Sequence, residues 1–220
     1  MAAAASVATS SSATDAGSAR LRQLRAQARK PGEASFFWYE PQFNSEAVKV
    51  LPGEYFVADQ DMPIMTTLGS CIAACLWDRS KRIGGLNHFM LVDGAGENCR
   101  YGAFAMELLI NELIKHGASR RSLEAKVFGG GQVISGMETM NIGERNTRFV
   151  LDYLRTERIP VVSRDVLGVY PRKVCFLAAS GKAMVKRLAS TNTAALAAQE
   201  RTAAAQAMPV TTSGGTIDLF

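Results

Sequence analysis

The residues best equipped for covalent chemistry are a thiol and an imidazole in one stretch, TTLGSCIAACLWDRSKRIGGLNHFMLVD, from Thr66 to Asp93. The stretch reads as strand, turn, strand. Cys71 to Trp77 is a short apolar run, and Arg79-Ser80-Lys81-Arg82 is a polar turn. Leu86 to Val92 alternates, with Leu86, His88, Met90 and Val92 on one face. Cys71 stands where a Gly-Ser turn enters the first strand, and His88 lies in the middle of the second. Pairing of the two strands as a hairpin would bring them close. A thiol within reach of an imidazole is the minimum for a cysteine hydrolase: the imidazole takes the proton and the thiolate attacks a carbonyl.

A packing role competes with that reading. Cysteine is among the most buried residue types, and a lone histidine is often a core residue with its hydrogen bonds satisfied. On one Cys and one His alone the packing role is favoured. Three neighbours shift the balance. The Gly69-Ser70 turn can leave backbone N–H groups beside the thiol, as an oxyanion hole requires. Thr66 and Thr67 offer a hydroxyl able to orient the imidazole. Gly84-Gly85 would let another backbone or a substrate approach closely.

The elements that must hold this stretch are legible around it. Phe36, Phe37, Trp38, Tyr39, Phe43, Tyr55 and Phe56 populate residues 35–57, with a strand ending near Val57. Phe36 to Tyr39 reads as packing over the domain, or as a partner patch. A loop covers Gly94 to Arg100. A helix follows from about Gly102 to His116, with Phe104, Leu108, Leu109, Leu113 and Ile114 as its apolar face and Gly117 as its stop. Residues 124–128 read as a strand running into Gly129-Gly130-Gly131. No G-K-[ST] follows the glycines, so a nucleotide loop is disfavoured. A second helix spans about Glu144 to Arg158, with Phe149, Val150, Tyr153 and Leu154 inward. Strands are expected near 159–165, 173–178 and 183–188. Strands with two helices argue an α+β class.

Ordered blocks across this region resemble one family. T-T-L-G-S-C-I-A-A-C-L-W-D and G-G-L-N-H-F-M-L are followed by Arg100-Tyr101-Gly102, Ala105-Met106, Lys126-Val127-Phe128-Gly129-Gly130-Gly131, Ile142-Gly143-Glu144-Arg145-Asn146, Ile159-Pro160-Val161-Val162 and Arg172-Lys173-Val174. Over roughly residues 46–188 the chain resembles the chemoreceptor glutamine deamidases of bacterial chemotaxis, the CheD family. The resemblance implies two mixed β-sheets packed face to face with flanking helices, a four-layer, cysteine-hydrolase-like arrangement. It implies Cys71 as nucleophile, His88 as base, and Thr66, with Thr67 as its rival, as the residue that orients His88. Backbone near Ser70 and Cys71 becomes the oxyanion site, with no cofactor and no metal. The implied substrate is a glutamine on the cytoplasmic helices of chemoreceptors, and a CheC-type phosphatase is a further partner. A non-catalytic adaptor binding those partners is the alternative. Val92 and Ala103 depart from the family pattern, in which a proline follows H-x-M-L and an acidic residue follows Y-G.

Composition bounds the remaining classes. A chain of 220 residues with 47% hydrophobic content suits one domain with a sizeable core. The expected division is an Ala/Ser-rich, basic, disordered tail over 1–34, a deamidase domain over 35–190 and a flexible tail over 191–220. The net charge of +5 owes much to arginines and Lys30 near the N-terminus, without a nucleic-acid-binding signature. Cysteines 71, 75, 99 and 175 neither form a disulfide framework nor complete a zinc site with only two histidines. Cys71 and Cys75, about 13 Å apart along a strand, are beyond disulfide reach, which disfavours a redox switch. No run reaches membrane-spanning length and no secretory signal is present, so a cytoplasmic protein with reduced thiols is expected. The terminal Ile217-Asp218-Leu219-Phe220 reads as an inert tail or a short docking peptide.

Overall fold

The computed structural model describes residues 19–91, 97–133 and 142–189, together with Ala198 and Thr202. In chain order the elements are α1 (residues 19–26), β1 (Phe36–Glu40), β2 (Ser45–Lys49), β3 (Tyr55–Ala58), β4 (Pro63–Leu68), β5 (Ile72–Asp78), β6 (Ile83–Phe89), α2 (Glu97–Lys115), β7 (Leu123–Gly129), α3 (Ile142–Thr156), β8 (Val161–Val166), β9 (Arg172–Leu177) and β10 (Lys182–Arg187). They build two five-stranded sheets, ordered β1-β2-β4-β9-β10 and β3-β6-β5-β7-β8. Both are mixed: β2 and β4 are parallel in the first, β7 and β8 in the second, and the other pairs are antiparallel. This is the α+β pair of mixed sheets that the resemblance implied.

Alternation along β5 explains how the second sheet serves two cores. Cys71, Ala73 and Cys75 face the first sheet, where they meet Phe37, Val48, Ile64, Leu68, Val174 and Phe176. Ile72, Ala74 and Leu76 face the other way, against α2 and α3. With every residue of β6 and nearly all of β5 buried, the central hairpin is apolar on both faces. Gly84 and Gly85 serve packing rather than substrate. A Cβ on the first would lie 2.7 Å from Ala178 O, and on the second 2.8 Å from a Leu109 methyl. α2 and α3 cover the outer face of the second sheet.

The stripe of α2 that enters the core is Met106, Leu109, Ile110 and Leu113. Phe104, expected on that face, is 58% exposed. It precedes Leu109 by five residues, about 140° around the helix. Ile114, also expected inside, is 40% exposed. Phe36 and Tyr39 are exposed while Phe37 is buried, so only part of the aromatic run packs over the domain. Part of the stretch assigned to the N-terminal tail is ordered onto the domain. Leu21 and Leu24 of α1 pack against the inter-sheet core, Arg25 donates to Phe37 O, Lys30 pairs with Glu112, and Ala34 is fully buried. The thin apolar stripe of α1 suffices because these polar anchors supplement it.

The β5–β6 turn is tied to the segment before β7 by one carboxylate. Asp78 accepts from Ser80 N, Ser80 Oγ and Lys81 N on one oxygen, and from Ser119 N and Ser122 Oγ on the other. Burial pushes this carboxyl up, and the hydrogen bonds outweigh it, holding the group well below the usual carboxylate range. Because the folded pKa is depressed, Asp78 contributes stability above its unfolded value near 3.8. That contribution falls away as pH drops below this value and is gone below the folded pKa. Asp78→Ala is expected to cost about 3 kcal/mol near neutral pH. Denaturant unfolding at pH 7 and pH 3 checks this: the gap between variant and wild type should narrow at the lower pH.

Candidate active site

The chain passes from the first sheet to the second through Gly69-Ser70, between the end of β4 and the start of β5, and Cys71 is the first residue beyond that turn. Both flanking strands are anchored, so the turn is held at each end. Its carbonyls are held too. Gly131 N donates to Gly69 O at 2.7 Å, Asn146 Nδ2 to Ser70 O at 2.8 Å, and Gly130 N to Cys71 O at 2.8 Å. The triple glycine therefore lies against this turn. Gly129 and Gly130 have φ of +110° and +65°, a conformation that glycine adopts at little cost.

His88 lies on β6 directly opposite Ala73. Cys71, one residue before β5 begins, and Ala73, two residues on, both enter the inter-sheet core. Cys71 and His88 are thus diagonal neighbours on one face of one hairpin, a relation that brings side chains within reach. Both are buried, Cys71 at 0% and His88 at 2% exposure.

The hydroxyl that meets the imidazole comes from the opposite sheet. Thr66 on β4 points inward, in step with Ile64 and Leu68, and its Oγ1 lies 2.8 Å from His88 Nδ1. Thr67 is on β4's other face, partly exposed. Thr66 Oγ1 also lies 2.8 Å from Val50 O, which only accepts, so the hydroxyl proton goes there. The hydroxyl oxygen must then accept from Nδ1–H, to which Val50 O is a second acceptor at 3.5 Å. The network selects the Nδ1–H tautomer and puts the imidazole lone pair on Nε2. The loop after β2 also grips the backbone of His88: Gly53 N donates to His88 O and His88 N to Glu54 O.

Of the residues singled out in the sequence, Thr66 and His88 meet directly, Cys71 shares a face with His88, and Ser70 precedes Cys71 in the turn. Ser70 Oγ is directed at Met90 Sδ, 3.7 Å away. Cys75 lies in the core, and burial pushes its thiol far up. Among the described residues no three His, Cys, Asp or Glu side chains gather as a metal site. The residues at 92 and 134–141, and Ile217-Asp218-Leu219-Phe220, lie outside the described residues. Val50 and Asn146 also contribute hydrogen bonds here. Val50 acts through its carbonyl, which side-chain type does not reveal. Burial first, and then the charge of Cys71, push the Tyr101 phenol up. Asn146 carried a signal: with Gly143, Thr147, Val150 and Leu154 it forms the buried stripe of α3, where an amide is out of place without a task.

Comparison with known proteins shows the family. Residues 91–187 match the family model described as CheD chemotactic sensory transduction. A protein of Albidiferax ferrireducens named "Probable chemoreceptor glutamine deamidase" is 61% identical over 203 residues, covering 91% of this chain and 87% of the relative. Proteins of the same description from Thiobacillus denitrificans and Methylobacillus flagellatus are 48% and 45% identical, each over 85% of this chain and 96% of the relative. Identity of 61% across 91% of the sequence excludes a chance match, and the chain belongs to the CheD family.

Proposed function

We propose that this protein is a chemoreceptor glutamine deamidase, hydrolysing glutamine side-chain amides on the cytoplasmic helices of chemoreceptors to glutamate and ammonia. The observation that carries the reading is the Thr66–His88 contact, which puts the lone pair of Nε2 on the hairpin face shared with Cys71. Nε2 takes the thiol proton as Cys71 Sγ bonds to the carboxamide carbon. The carbonyl oxygen becomes an oxyanion, met by backbone N–H at Ser70 and Cys71. As the C–N bond breaks, His88 returns its proton to the departing ammonia. Water then gives a proton to Nε2 and attacks the thioester. The C–S bond breaks, the proton returns to sulfur, and glutamate leaves. Thr66 holds the ring in one tautomer throughout, and its oxygen faces the Nδ1–H of the imidazolium each time it forms.

Mass spectrometry of receptor cytoplasmic fragments incubated with the protein tests the reading, through the small mass gain of glutamine converted to glutamate. Fragments that bind without conversion would overturn it in favour of an adaptor. A CheC-type phosphatase is the further partner we assign, to be checked by its effect on the same conversion rate.

Thr66→Ala is expected to lower kcat by about 10²-fold, a loss typical of disabled acid–base catalysis. Thr66→Ser should keep most activity, and Thr67→Ala should change the rate less than about twofold, since its side chain is on the far face. Steady-state ammonia release by the three variants decides the assignment. The reverse order between Thr66→Ala and Thr67→Ala would transfer the orienting role to Thr67.

A further inference from the structure

Asn146 has both ends of its amide engaged on backbone that flanks the central hairpin, Ser70 just before β5 and Leu91 just after β6. Its Nδ2 donates to Ser70 O at 2.8 Å, and its Oδ1 accepts from Leu91 N at 2.9 Å. Ser70 O only accepts and Leu91 N only donates, so the amide can stand in one orientation. Asn146 is 0% exposed and sits in the first turns of α3. Those turns are pressed to the site: a Cβ on Gly143 would lie 2.3 Å from Gly130 O, and Thr147 Oγ1 donates to Gly143 O.

The consequence follows from peptide geometry. The Ser70–Cys71 peptide is planar and trans, so its C=O and its N–H point in opposite directions. A donor that fixes Ser70 O therefore also fixes the direction of Cys71 N–H, one of the two donors assigned above to the oxyanion. The flanking carbonyls of Gly69 and Cys71 are held by Gly131 and Gly130, so backbone already anchors the ends of the turn. Asn146 supplies the side-chain hold on its central plane. We infer that Asn146 is a positioning residue that aims the Cys71 N–H of the oxyanion site, while its other end ties the same turn to the end of the His88 strand. The inference rests on the deamidase reading, because only a reaction with a developing oxyanion makes use of that N–H.

The test separates aiming from general support by comparing two reactions of the same thiol. Deamidation passes through a tetrahedral oxyanion, whereas alkylation by iodoacetamide is a displacement at carbon that needs none. In full-length Asn146→Ala, kcat for ammonia release from a receptor fragment should fall about 10²-fold, the scale of a lost oxyanion donor. KM and the rate of Cys71 alkylation should stay within about threefold of wild type. Asn146→Asp is the second variant, for use also if the alanine variant fails to fold. Its carboxylate can accept from Leu91 N but cannot donate to Ser70 O, so it should lose kcat and keep the alkylation rate. Unchanged kcat in both variants against an active wild type would overturn the positioning role alone. Equal losses of deamidation and alkylation would overturn it too, since they would mean that the thiol itself is displaced. A wild-type protein that is alkylated at Cys71 but releases no ammonia would overturn the deamidase reading, and the role of Asn146 with it.

Discussion

Cys71→Ala is expected to leave a folded protein whose ammonia release from receptor glutamine is reduced by at least about 10⁴-fold. Loss of the nucleophile removes the thioester route, and neither the hydroxyl of Thr66 nor the imidazole of His88 can form an equivalent intermediate from its position. Folding should survive, because the sulfur is one small apolar group in a core that also holds Phe37, Ile64, Leu68 and Phe176. The cavity left behind is expected to cost about 1 kcal/mol. His88→Ala should be comparably inactive, and the double variant no worse than either single one, because nucleophile and base act as a unit. Ammonia assays beside thermal melts check all three. A Cys71→Ala protein that turns over at the wild-type rate would end the assignment of a cysteine nucleophile.

Gly129→Ala is expected to be the most damaging single methyl group in the domain. At φ +110° any side chain is strained, and here a Cβ would also lie 2.1 Å from Cys71 O. The obstacle is backbone, held by Gly130 N, so relief requires β5 and β7 to part where they support the nucleophile. A loss of at least about 3 kcal/mol is expected, or roughly 6–12 °C in Tm for a chain of this size. Activity should fall beyond what the lost stability explains. Gly117→Ala supplies the comparison. Its φ of +98° is as demanding, yet the nearest atom to its Cβ would be an Ile83 methyl 3.8 Å away. That variant should lose only about 1 kcal/mol and keep its activity. Similar melts for the two alanine variants would show that conformational strain, not collision with Cys71 O, governs the site.

How much of this was legible in the sequence depended on which force placed each residue. The β5–β6 hairpin was, because its polar turn separates two short runs and the second alternates. β4 was not: Pro63 to Leu68 is buried at five of its six positions, so no inside–outside pattern marks it, and it runs straight into the Gly-Ser turn. The choice of Thr66 over Thr67 as the partner of His88 turns on strand parity, and parity needs a register that only the docked sheets supply. Phe104 is large and apolar, yet its angle on the helix turns it away from the core. Asn146 is one polar residue in a helix, and its type alone marks no task. Its task is a pair of hydrogen bonds to backbone atoms far away in the chain, and no spacing rule encodes those.

The first sheet is closed late in the chain. β4, which carries Thr66, is flanked by β2 on one side and by β9 on the other, with Thr66 opposite Val174. The hairpin bearing Cys71 and His88 is local and can pair while the chain is still being made. The strand that steadies its histidine gains its second neighbour only after residues 172–177 have emerged. Such long-range closure is slow compared with hairpin formation. During synthesis Cys71 and His88 can therefore be brought together on their hairpin before the strand that bears Thr66 has both of its neighbours.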